Sequence, residues 1–132
     1  MKSTSFRFFS AVLLAFSLSQ VANAADVVVI SNSGTIISAS EVKDIFLGEK
    51  QFAGGAKLIP VDNAALQASF LSKYMNMAAD KYNSMWTKKS FRDGLTPPAV
   101  KAGDAEVIDF VKRTPGAVGY VSAAPAGVNS VK

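Results

Sequence analysis

An α/β fold with a mixed sheet flanked by helices is predicted by three observations. β-Branched and apolar runs read as strands near both ends of the chain, helical periodicities separate them, and turn residues punctuate the joins. The run ADVVVI over 25–30 is apolar enough for a strand covered on both faces, and SNSG over 31–34 marks a turn after it. Residues 35–37 (TII) are expected to extend the sheet.

The first helix begins near Ala39. Val42, Ile45 and Phe46 fall on one face, Ser38 and Glu41 have the spacing of a capping box, and Gly48 supplies the left-handed stop. Residues 49–56 read as a loop, and 57–61 (KLIPV) as a second strand. Pro60 cannot donate to a ladder, so that strand is expected to end at an edge or leave the sheet. Asp62 and Asn63 read as caps of a second helix carrying Leu66, Phe70 and Tyr74 at spacing four. A third helix over about 78–91 buries Tyr82, Met85 and Trp86. A rigid connection follows, with DG at 93–94 and TPP at 96–98. Asp104 is expected to cap a fourth helix with Val107, Phe110 and Val111 inward, and Lys112 and Arg113 complement its C-terminal dipole. Residues 117–121 make a short buried strand, and 128–132 a final one. The helical cluster between Pro60 and Ala117 leaves the sheet free to be mixed rather than purely parallel.

The first 24 residues read as a leader rather than as part of the fold. Lys2 and Arg7 precede an apolar stretch over 8–18, and Ala22-Asn23-Ala24 supplies the small-x-small pattern for cleavage after Ala24. That stretch is short of the ~20 apolar residues of a spanning helix. The expectation is a signal peptide over 1–24 and an exported, periplasmic domain over 25–132, without a membrane span once the leader is removed. A domain of this size buries roughly two-thirds of its unfolded surface and holds a core without staples. The chain contains neither cysteine nor histidine. Disulfides, thiolate chemistry, the commonest general base and the commonest metal ligand are therefore all missing. The formal charge is +4, of which Lys2 and Arg7 contribute two, too little to argue for nucleic acid. No enzyme, cofactor or metal is expected.

Five ordered stretches carry a resemblance. SEVKDIFLGEK over 40–50 and GAKLIPVD over 55–62 come first; Met85-Trp86, then Phe91, Gly94 and Pro97-Pro98, and finally PGAVGYV over 115–121, follow in the same order. Together they resemble the phosphate-type substrate-binding proteins of bacterial ABC transporters, in particular small members holding one of the usual two lobes. The resemblance implies a single lobe of the type II periplasmic-binding-protein fold. It also implies inorganic phosphate or another small oxyanion as ligand, and an ABC permease as partner. In full-length members a Ser-Gly-Thr-Arg-like stretch at a helix N-terminus holds the anion between the lobes. Aligned on Phe70, that stretch falls on Ala64, Ala65, Leu66 and Gln67, so hydroxyls and a guanidinium give way to methyl, isobutyl and amide groups. A lost charge-assisted contact of roughly 1.5–3 kcal/mol weakens affinity ten- to hundredfold.

The candidate ligand contacts are Asp62, Asn63, Ala64, Gln67, Ser69 and Tyr120. Against each stands a structural reading: capping for Asp62 and Asn63, a solvated helical position for Ser69, strand packing for Tyr120. An ionised Asp62 repels an ionised phosphate. The Ser-Gly-Thr triplet at 33–35 follows a strand and precedes no helix, so a turn is favoured over an anion nest. Lys88, Lys89 and Arg92 read as a solvated helix face over buried aromatics. The expected function is an exported, non-catalytic solute-binding protein with weak or altered oxyanion recognition, a homodimer being one way to rebuild a cleft. The alternative is a periplasmic scaffold, adhesion or assembly partner of an envelope protein that has lost its ligand.

Overall fold

The computed structural model describes residues 26–131; the expected leader over 1–24 lies outside the described residues, as do positions 25 and 132. Strand β6 (Ala117–Val121) organises the sheet, and its sequence explains why. All five residues are buried, with Val118 and Tyr120 toward one layer and Ala117 and Val121 toward the other. Such a strand belongs in the interior of a sheet covered on both faces. β4 (Ile59–Asn63) lies parallel on one side of it, and β1 (Val28–Ser31) antiparallel on the other. β5 (Ala99–Lys101) runs parallel outside β4, and β7 (Asn129–Val131) antiparallel outside β1. The resulting mixed sheet has the order β5-β4-β6-β1-β7, and a separate hairpin joins β2 (Phe52–Ala53) to β3 (Ala56–Lys57).

Helices cover both faces. On one, α1 (Val42–Phe46), α2 (Gln67–Phe70) and α3 (Ala79–Asp93) bury Phe46, Phe70, Tyr82 and Trp86 against Val29, Val118 and Tyr120. On the other, α4 (Asp104–Arg113) packs Val107 and Val111 against Ile30, Val61 and Val121. The start of α1 is built as its sequence predicts. After a single 3₁₀ turn (Ala39–Glu41), the Glu41 carboxylate accepts the Ser38 N–H at 2.9 Å, and Gly48 closes the helix with φ of 73°. Two of the terminal carbonyls are then satisfied from α3: Trp86 Nε1 donates to Phe46 O at 3.1 Å, and Lys89 Nζ donates to Leu47 O.

Three expectations are corrected. Residues 35–37 form no strand, because Thr35 is engaged elsewhere. Its carbonyl accepts the Ser31 hydroxyl at 2.6 Å and the Asn129 amide at 3.1 Å, and its Oγ1 accepts the Gly116 N–H at 3.0 Å. Asp62 and Asn63 are not helix caps; they end β4, where they pair with Val100 and Lys101, and α2 begins only at Gln67. The stretch 49–56 contains most of a hairpin rather than plain loop, and β5 follows directly on Pro97-Pro98 without having been foreseen. Pro60 is accommodated because β5 starts opposite Val61, one residue later, so no strand faces its missing N–H on that side. α2 runs on into a wide π turn (Leu71–Met75) and stops at Asn76, whose φ is 48°.

Candidate functional site

β4 carries two polar residues into the core at its C-terminal end. Asp62 and Asn63 are both buried, and the structure surrounds each with donors and acceptors. Asp62 Oδ1 accepts the Tyr120 hydroxyl and Oδ2 accepts the Tyr82 hydroxyl, both at 2.8 Å. Tyr120 reaches it from β6, the neighbouring strand, and Tyr82 from the first turns of α3. The Tyr120 ring stacks on Phe70, with centroids 3.9 Å apart and planes within 5°. Phe46 lies tilted against both rings. The acid is thus held by two phenols whose rings are part of the apolar core.

Electrostatics follow from this burial. Loss of water raises the Asp62 pKa, and hydrogen bonds from Tyr120 and Tyr82 offset only part of the rise. Burial, and then the adjacent Asp62 charge, push both phenols well up, so they remain donors across the ordinary pH range. Asn63 links the other layer. Its Nδ2 donates to Asp104 Oδ1 at 2.8 Å and to Tyr120 O at 3.0 Å, while its Oδ1 accepts the Ala65 N–H at 3.1 Å and shapes the turn into α2. Asp104 sits in the first turn of α4, where its carboxylate also accepts the Ser122 N–H at 3.1 Å and the Ser122 hydroxyl. Burial raises the Asp104 pKa, but the Ser122 and Asn63 donors outweigh it and leave it lowered. An internal carboxylate therefore already occupies the positive end of that helix.

Replacing Asn63 by alanine removes both donors and the turn-forming acceptor at once. The expected loss is about 2–3 kcal/mol in urea unfolding, since one of these bonds is charge-assisted and all are at least partly buried. A loss below about 0.5 kcal/mol would show that water replaces Asn63 without cost.

Above Asp62 lies an open groove of about 700 Å³. Gln67, Tyr82, Trp86, Thr87, Ser90 and Phe91 contribute to its walls, with Pro97, Pro98 and Val100 across from them. No lysine or arginine of the described residues lines it. Of the six candidates from the sequence, Asp62, Asn63 and Tyr120 belong to one hydrogen-bonded network, and Gln67 joins Asp62 at the groove. Ala64 is exposed, with its N–H donating to Lys101 O at 2.9 Å. Ser69 is half-buried on α2 and does not line the groove. Sequence reasoning missed Tyr82 and Asp104 as polar partners. The available signal was Asp62 itself: an acid following an apolar strand run needs buried donors, and a helical tyrosine on an apolar face has a hydroxyl to place.

No protein-family model matches the chain, and no curated protein matches it in sequence. Solved structures do match in three dimensions. PstS from Borrelia burgdorferi superposes with a TM-score of 0.55 at 16% identity, over 81% of this chain and 46% of that one. A phosphate ABC transporter substrate-binding protein from Clostridium perfringens, solved with bound phosphate, gives 0.52 at 16% identity, over 81% and 44%. Both are binding proteins rather than enzymes. The chain spans less than half the length of either. At this identity the likeness is one of fold: a mixed sheet between helical layers, corresponding to a single lobe of these phosphate-type substrate-binding proteins.

Proposed function

We propose that this chain is an exported, non-catalytic solute-binding lobe that takes small oxyanions weakly and in protonated form. The observation that carries this reading is the buried Asp62 carboxylate beneath a groove without a lining cation. The groove lies by the C-terminal ends of the parallel strands β4 and β5, where open α/β sheets receive ligands. A carboxylate accepts a hydrogen bond from a P–OH group but repels a fully ionised oxyanion. Monobasic phosphate therefore suits the site better than dibasic phosphate or sulfate. Ligand contacts are assigned to Asp62 and Gln67, with Tyr120 and Tyr82 holding the Asp62 oxygens and Asn63 bonded to the Tyr120 carbonyl; Ala64 and Ser69 border the same turn. Delivery to a permease, and residence in the periplasm, are part of the same proposal.

Calorimetric titration tests it. Phosphate is expected to bind in the millimolar range at pH 5.5 and several-fold more weakly at pH 8, with sulfate giving no heat at either pH. Gln67→Arg restores a guanidinium beside the acid and is expected to tighten phosphate ten- to hundredfold. Absence of heat with about 10 mM phosphate at both pH values, for the native chain and Gln67→Arg alike, overturns the reading.

One observation favours a second reading, an assembly partner in the cell envelope. Phe91 and Val100, both lining the groove, are 94% and 62% exposed. That reading expects a cross-linked complex whose yield phosphate does not alter.

A further inference from the structure

The groove shares Trp86, Pro97 and Pro98 with a second, more enclosed cavity of about 480 Å³. This cavity exists because of strand register. β5 begins opposite Val61, so the flank of β4 at Ile59 and Pro60 has no strand beside it. Pro60 has no N–H to leave unpaired there, and the exposed surface is largely carbon. Ile45, Leu58, Val61 and Trp86 give the cavity a buried apolar floor. Its polar lining comes from Lys50, Gln51, Lys57 and Thr96. Lys50 is engaged by Glu41, with Nζ 2.8 Å from Oε1. The Lys57 amine meets no carboxylate within ion-pair distance among the described residues. A small-ligand volume, an apolar floor and one uncommitted cation thus occur together.

We propose that this cavity binds small monocarboxylates with an apolar tail, the headgroup on the Lys57 amine and the tail on the floor beside Trp86. Compact, fully hydrated anions such as phosphate are excluded, because the floor offers nothing in exchange for their water. Cations are repelled by the Lys57 amine. A neutral apolar molecule fits the floor but makes no use of Lys57. The site does not depend on the oxyanion reading of the Asp62 groove, and each can fail without the other.

Trp86 is the single tryptophan of the chain and lines both cavities, so its fluorescence reports occupancy and the Lys57 variant assigns the signal to this one. Titration of the intact protein with sodium decanoate is expected to give a saturable change with half-saturation at roughly 0.1–3 mM. Lys57→Met, on a solvated two-residue strand, is expected to weaken decanoate about fivefold. Decanol is expected to bind the native chain and Lys57→Met equally, and Lys81→Met to leave decanoate binding unchanged. Saturating phosphate is expected not to displace decanoate. No saturable signal up to about 10 mM decanoate overturns the proposal. So does an unchanged decanoate affinity in Lys57→Met, or an equal loss of decanol in that variant, which would place the effect in packing rather than charge.

Discussion

Gly116→Ala is expected to cost at least about 4 kcal/mol, enough to lower the thermal midpoint by some 15–25 °C in a domain of this size. Two penalties add. Gly116 has φ of +83°, where an L side chain carries strain of about 1–2 kcal/mol. Its added Cβ would also lie 2.0 Å from the Lys57 carbonyl oxygen, a backbone atom that no rotamer change can move away. The backbone must shift, and the shift falls on two bonds, one that sets Ile59 of β4 beside the start of β6 and one that ties that start to Thr35. Ile59 N–H donates to Gly116 O at 2.8 Å, and Gly116 N–H donates to Thr35 Oγ1 at 3.0 Å. Gly94→Ala is the control, with a similar φ of +66° and nothing within 4 Å of the new Cβ. It is expected to cost about 1–2 kcal/mol. Equal midpoints for the two variants in urea would show that the contact at Lys57 relaxes freely.

Removal of both hydroxyls around Asp62, in Tyr82→Phe with Tyr120→Phe, is expected to cost about 4–6 kcal/mol at pH 8. Each single variant is expected to cost about 2 kcal/mol, the range for a hydrogen bond to a charged group. A loss in the double variant beyond the sum of the singles measures how far one phenol compensates for the other. The effect depends on pH with a definite sign. Burial raises the folded pKa of Asp62 above its ordinary 3.8, against the pull of the two hydroxyls. Between those two values the folded chain holds a proton that the unfolded chain releases. The stability this contributes is complete below the ordinary pKa and is lost as pH rises through the raised one. The phenols hold that rise in check, so the double variant goes on losing stability to a higher pH than the native chain does. Asp104 and Glu41 titrate in the opposite sense. Donors from Ser122 and Asn63 outweigh burial at Asp104, and the Lys50 and Ser38 contacts lower Glu41. Their contribution is present above the ordinary carboxylate pKa and lost as pH falls. Subtracting the unfolding curve of Asp62→Asn isolates the Asp62 component, and a flat difference between pH 4 and pH 8 would refute the assignment.

The fold was legible where local and global preferences agree. Residues 41–48 have periodicity, cap and stop in one stretch, and α1 forms there; residues 117–121 are uniformly small or apolar, and β6 is the buried central strand. The misreadings share a cause. At Thr35, Asp62 and Asn63, side-chain hydrogen bonds to residues far along the chain decide the backbone conformation, and no local pattern encodes those partners. β5 escaped notice because three residues after two prolines carry no periodicity; it is specified by β4 beside it. The candidate site was half legible for the same reason. Asp62 and Gln67 lie close in sequence, whereas Tyr82 and Asp104 reach the network from α3 and α4.

β1 lies between β6 and β7, paired from Val28 with Val121 and from Val29 with Val131. An early strand whose two neighbours both come from the far end of the described chain has no local partner. Ordering it means closing loops that span most of the domain, and such distant pairings slow folding far more than they weaken the finished state. Until they form, the hydrophobic valines of β1 stay uncovered, the condition in which partly folded chains associate with one another. Pairing of β1 with β6 and β7 is therefore the contact of greatest sequence separation that this sheet has to make.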